Sequence, residues 1–190
     1  MKGTGIPALL FEYRLAPEHP YPAALEDAII TYTYLLEQGI TPAGIYFLGD
    51  SAGGGLCLAA LLAIKDRGLL LPASAVAYSP ITDFTYSGES HQTKRKVCLS
   101  PEGMAPALAK HYAGGQDLTL HTISPLFGDL QGLPPLMIYA GEDETLCDDA
   151  VRFGEKAKSA GVDITLHVGE GKFHCYPATA PLFPGGHPGL

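Results

Sequence analysis

Charge is scarce in this chain: Asp, Glu, Lys and Arg make up 17% of its 190 residues, against a usual share of roughly 25%. With 46% hydrophobic residues, that scarcity excludes a disordered tail or a coiled coil and leaves a core-rich globular chain. Positive charge is scarcer still, since 12 Lys and Arg face 20 Asp and Glu for a formal charge of -8. Nothing basic exceeds the triplet Lys94-Arg95-Lys96. Neither nucleic acid nor an anionic membrane surface is therefore expected as a partner.

Long apolar runs are also missing. The longest, Leu56 to Ile64, is far short of the roughly 20 residues that span a bilayer, so no integral membrane segment is expected. Met1-Lys2 is followed by Gly-Thr-Gly-Ile-Pro and not by a signal-peptide apolar run, which makes the cytoplasm the expected location. No C-x-x-C pair occurs: Cys57, Cys98, Cys147 and Cys175 are scattered, a pattern of reduced thiols rather than of a zinc site or a dense disulfide framework. H-E-x-x-H is absent as well, so no metal is expected. Gly3-Thr4-Gly5-Ile6-Pro7-Ala8 has the glycines of a dinucleotide fingerprint but opens no helix, so no cofactor is expected either.

What remains alternates strand and helix over a length that suits one domain, residues 1–190. Ala8 to Tyr13 reads as a buried strand, followed by a Pro-rich loop and a helix with Pro22 in its first turn. Leu25, Ile29, Tyr32 and Leu36 line one face of that helix and Gly39 closes it. Ile45-Tyr46-Phe47-Leu48 is the next strand and an Ala/Leu-rich helix ending near Gly68 follows. Further strands are expected at Ala75–Ser79, Leu136–Tyr139 and Ile164–Val168. A helix is expected to open at Ser100-Pro101-Glu102, and another carries Ala150, Phe153, Ala157 and Ala160 on one face. Strands separated by helices pair in parallel through crossovers, so the fold class is α/β with a mostly parallel sheet.

The chemistry centres on Gly49-Asp50-Ser51-Ala52-Gly53, a G-x-S-x-G pattern. Alone it is weak; between a strand and a helix it matches a nucleophile elbow, in which a sharp turn strains the serine and the helix N-terminus aims free N–H groups at the reacting centre. A serine hydroxyl needs a base, and the base needs a carboxylate to hold it. Of seven histidines, His174 lies in a Gly-rich loop just after the last strand, at the strand C-terminal edge where α/β sheets bind ligands. The acid is expected after the fourth strand. Glu142, Asp143 and Glu144 cannot be ranked by their spacing, whereas Asp148 and Asp149 suit capping of the following helix.

Tyr13-Arg14-Leu15-Ala16-Pro17-Glu18, Pro22-Ala23-Ala24 with Asp27, Gly49 to Gly54, Ser79-Pro80 with Asp83, and Gly132-Leu133-Pro134-Pro135, together with the histidine loop, resemble the hormone-sensitive-lipase-like group of α/β-hydrolase esterases. The resemblance covers nearly the whole chain. It implies an α/β-hydrolase fold, with a mostly parallel sheet flanked by helices. The family acid opens a D-P-L-x-D segment, which matches Glu144-Thr145-Leu146-Cys147-Asp148 and so implies Glu144, with Asp143 the runner-up. Arg14, Glu18, Asp27 and Asp83 are expected to pair charges and fix loops.

The departures are specific. The family's H-G-G-G oxyanion loop precedes the strand matched by Ala8–Tyr13, and no such segment occurs in this sequence. An N-terminal cap, the strand between Ala8–Tyr13 and the elbow strand, and the final helix are also unmatched, so the expected domain is a partial one, short at both ends. The resemblance implies a serine carboxylic-ester hydrolase acting on short acyl esters, with Ser51 as nucleophile, His174 as base, Glu144 as acid and the Ala52 N–H as oxyanion donor. Activity is expected to be impaired by the missing oxyanion loop. The rival expectation is a non-catalytic α/β-hydrolase module that binds a small ligand or protein partner. Unpaired strand edges invite a partner chain, and a homo-oligomer is among the assemblies they would allow.

Overall fold

In a computed structural model that describes residues 5–99 and 104–179, four parallel strands run in the order β1-β2-β3-β4. They are β1 Tyr46–Asp50, β2 Ser74–Tyr78, β3 Leu136–Gly141 and β4 Ile164–Gly169. Each crossover passes through helical structure, as parallel neighbours require. Helices α1 Ala23–Glu37 and α2 Ala52–Asp66 flank β1 in the chain. The short α3 Ser90–Thr93 and α4 Met104–Ala113 lie between β2 and β3, and α5 Cys147–Ser159 joins β3 to β4.

The pleat divides the sheet into two unlike faces. Phe47, Ala75, Leu136 and Ile164 form one cross-strand row, and Gly49, Ala77, Ile138 and Leu166 another. Both rows pack on Leu58, Leu61 and Leu62 of α2 and on Ala150, Phe153 and Ala157 of α5. Phe153, Ala150 and Ala157 are fully buried, so the spacing expected along α5 does mark its inner face. Because α2 also receives α1 against Ala59, Ala60, Ala63 and Ile64, it is apolar nearly all round, as a helix covered on two sides must be. The alternate rows, with Tyr46, Leu48 and Met137, point the other way. There Leu48 is 66% and Tyr46 59% exposed.

Helix α1 begins after Pro22, and Leu25, Ile29 and Tyr32 are its buried stripe. Gly39 closes α1 at φ 82° and Gly161 closes α5 at φ 78°, left-handed positions where a Cβ would be strained. The helix expected from Ser100 begins, for the described residues, at Met104; Ser100, Pro101 and Glu102 lie outside them. Pro106 lies within the described part of α4 and has no N–H to donate. All four cysteines are unbridged. Among the described residues no helix is long and apolar enough to cross a membrane.

Ala8–Tyr13 is not a strand. The segment is irregular, Leu10 is 96% exposed, and β1 is the edge of the sheet. A strand exists only as part of a ladder, and among the described residues no strand pairs with this segment. The segment is held instead by Phe11 and Tyr13, which pack against the α1–α2 core, and by the next residue, Arg14, which makes a two-pronged pair with Asp27 of α1, with Nη2–Oδ1 at 2.7 Å and Nε–Oδ2 at 3.0 Å. Asp83, also expected to fix a loop, is fully buried. It accepts from Thr85 and Ser87 and pairs with Arg152 at 3.1 Å. Burial pushes its carboxyl up, and the hydrogen bonds from Ser87 and Thr85 more than reverse that shift.

Candidate active site

The turn from β1 into α2 is as tight as its sequence suggests. Ser51 has φ 53° and ψ -118°, a left-handed strain that persists only where the surroundings hold it. Its N–H donates to Tyr78 O of β2 at 2.8 Å, and its carbonyl accepts from Gly55 and Ile81. Gly49 is obligatory for the approach, since a Cβ there would sit 2.3 Å from Gly53 O. Ala52 opens α2, so its N–H is among the four that helix geometry leaves without an intrahelical acceptor.

The loops after β3 and β4 meet above this turn. Glu142 N–H donates to Gly169 O at 2.9 Å and Asp143 N–H to Lys172 O at 3.0 Å. A Cβ on Gly141 would lie 2.3 Å from Lys172 O, so the crossing of the two loops depends on that glycine. The crossing brings His174 over Ser51, with Nε2 3.0 Å from Oγ, while Nδ1 lies 2.5 Å from Glu144 Oε2. A carboxylate only accepts, so Nδ1 carries the proton and Nε2 of the neutral ring is left to accept from Ser51.

Glu144 is fully buried, and its other oxygen, Oε1, accepts from Gly141 N–H at 2.7 Å and Ser79 Oγ at 2.8 Å. Burial of His174 works against its protonation, but hydrogen bonds to Cys175 and Glu144 raise its affinity for a proton from the ordinary 6.5 to about 10. Glu144, whose carboxylate faces the ring, favours the charged imidazolium and so sets the upward direction.

Of the three carboxylates left open by spacing, only Glu144 reaches His174. Asp143 instead pairs with Lys94 Nζ at 3.1 Å, and Glu142 accepts from Gly171 N–H at 3.0 Å. Asp148 and Asp149 stand in the first turn of α5, but neither caps it. Asp148 accepts from Ser90 N–H, and Asp149 accepts from the N–H groups of Thr82 and Asp83 and lies 2.7 Å from His91 Nε2. Both carboxylates reach the loop after β2 because α5 packs beside it, which gives them closer donors than their own helix end. Burial pushes the Asp149 carboxyl up, and His91 partly offsets this. His167 stacks on Tyr139 at 4.7 Å on β4, as a packed strand residue.

The chain belongs to the α/β-hydrolase fold family, whose profile matches residues 1–178. Within that family it is similar to the hormone-sensitive-lipase-like esterases. It is 42% identical over 185 residues to an acetyl-hydrolase of Streptomyces hygroscopicus, covering 96% of this chain and 62% of that protein. An esterase of Acinetobacter venetianus is 36% identical over 183 residues, with 95% and 60% covered. Among solved structures, an esterase from the bacterial hormone-sensitive lipase family aligns at 44% identity and a TM-score of 0.88, over 92% of this chain and 59% of that one. The chain thus spans about 60% of the length of the relatives it matches.

Proposed function

We propose that the protein is a serine carboxylic-ester hydrolase for short acyl esters, working through an acyl-enzyme and without a cofactor. The observation that carries this reading is the continuous contact from Ser51 Oγ through His174 to buried Glu144. Ser51 Oγ attacks the ester carbonyl carbon as its proton passes to His174 Nε2. The oxyanion forms beside the Ala52 N–H, and His174 returns the proton to the departing alcohol. Water then repeats the sequence on the acyl-enzyme and releases the acid. Glu144 fixes the ring and stabilises the imidazolium, while Asp143, held by Lys94, takes no part. Relatives named acetyl-hydrolase and esterase support an ester as the substrate.

The Ala52 N–H, first in α2, is the oxyanion donor that these residues supply, and one such donor is typically worth about a hundred- to a thousandfold in rate. The reactivity of Ser51 is the property tied most directly to this arrangement. A fluorophosphonate probe reads that reactivity directly: modification at Ser51 by mass spectrometry, abolished in Ser51→Ala, is the expected result. No modification of a folded sample would favour the rival, a non-catalytic module that binds a small ligand or partner.

A further inference from the structure

We infer that Ser79 is a positioning residue for the Ser51–His174–Glu144 site, acting on both of its moving parts through one hydroxyl; this rests on the hydrolase reading above. Ser79 follows β2, is fully buried, and has φ 45°, a left-handed conformation that a serine adopts at a cost. Its N–H donates to Tyr139 O of β3 at 2.6 Å, which clamps the residue between two strand ends. Its Oγ lies 2.8 Å from Glu144 Oε1 and 2.9 Å from Cys175 N.

The chemistry fixes the direction of both bonds. A backbone N–H can only donate, so the hydroxyl accepts from Cys175, and its single proton is committed to the carboxylate. Glu144 Oε1 is thereby filled by Ser79 and Gly141, and Oε2 is the oxygen left to face His174. The same hydroxyl tethers the residue after His174, at φ 56°. One buried oxygen therefore sets the carboxylate rotamer and anchors the backbone that carries the base. Nothing in the elbow or in the acid loop makes this double connection.

The test is the rate of Ser51 phosphonylation as a function of pH in full-length Ser79→Ala, Ser79→Gly, Glu144→Gln and the double variant Ser79→Ala/Glu144→Gln. Ser79→Gly removes the hydroxyl while relieving the positive φ, so it keeps the fold where Ala strains it; circular dichroism and the melting midpoint check this. Both Ser79 variants are expected to label about 10- to 100-fold more slowly, the range that loss of an outer partner commonly costs. The acid limb of the rate profile is expected to move down toward 6.5, the ordinary value for histidine, because His174 loses part of its hold on Glu144. In the Glu144→Gln background part of what Ser79 does is already lost and the Cys175 tether remains, so removal of the hydroxyl is expected to cost clearly less there than in the wild-type background.

Wild-type labelling by folded Ser79→Gly would overturn the inference, as would an unmoved acid limb or losses that multiply in the double variant. Slow Glu144→Gln with unimpaired Ser79→Gly would defeat the Ser79 role alone. Glu144→Gln at the wild-type rate would defeat the hydrolase reading and the Ser79 role together.

Discussion

Asp143 and Glu144 are neighbours in the chain with opposite surroundings: Glu144 is sealed beneath His174, and Asp143 lies at the surface against Lys94. The backbone of Asp143 is bound to Lys172 O, which directs its side chain away from the ring and turns that of the next residue inward. An exposed Lys–Asp pair contributes little because solvent screens it, so it holds the loop's surface without determining its path.

Replacing these two residues separately should therefore give unequal results. Glu144→Ala is expected to slow phosphonylation of Ser51 by about a hundredfold or more, the usual scale for a disabled general-base system. Asp143→Ala should stay within about threefold of wild type, a difference of roughly 0.7 kcal/mol. Equal losses in short-ester cleavage and labelling would mean that the acid has been misassigned.

The pH dependence has a defined sign. In the proposed mechanism His174 must be neutral to take the Ser51 proton, and Glu144 raises its affinity for protons above the ordinary 6.5. Reactivity should consequently be low at acid pH and rise through a midpoint above 6.5, and Glu144→Gln should shift that midpoint downward while lowering the plateau. A midpoint that moves upward in Glu144→Gln contradicts the arrangement.

Two glycines of the same elbow should differ in what they tolerate. Gly49→Ala places a Cβ 2.3 Å from Gly53 O, a backbone atom that cannot yield, and is expected to destabilise by more than about 3 kcal/mol or to prevent folding. Gly53 has open space around its Cβ position and lies within α2, so Gly53→Ala should keep the fold and gain up to about 1 kcal/mol of helix propensity. Urea denaturation of the two variants measures the contrast.

Away from Ser51, the His91–Asp149 contact fastens the loop after β2 to α5. His91→Ala removes a donor from a fully buried carboxylate and is expected to cost about 1.5 to 3 kcal/mol. His91→Gln, which can still donate, should recover part of that loss. Chemical denaturation at neutral pH is the measurement, and unchanged stability in His91→Ala would show that the contact contributes nothing.

Regular elements were legible wherever local periodicity met a local stop. The stripe of Leu25, Ile29 and Tyr32 with Gly39 gave α1, and Phe153 with Ala150 and Ala157 gave α5. Ser51 was legible because strand, turn and helix lie within one short stretch. The choice among Glu142, Asp143 and Glu144 was not, because burial beneath His174 depends on a loop 30 residues further on; only family likeness pointed to Glu144. Ala8–Tyr13 has the composition of a strand, but a ladder is a property of two segments. The His91–Asp149 contact joins residues 58 positions apart, and no pattern near either one announces it.

Edge strand β1 leaves the mounting of Ser51 lopsided. Tyr46–Asp50 is braced laterally by β2 alone, and the N–H of Ser51 itself leans on the last carbonyl of that same strand. The loop that follows β2 holds the elbow too, through the Ile81 N–H on the Ser51 carbonyl, so both outside supports of the turn come from one strand end. Loss of Ser51 reactivity on heating is therefore expected to run ahead of global melting.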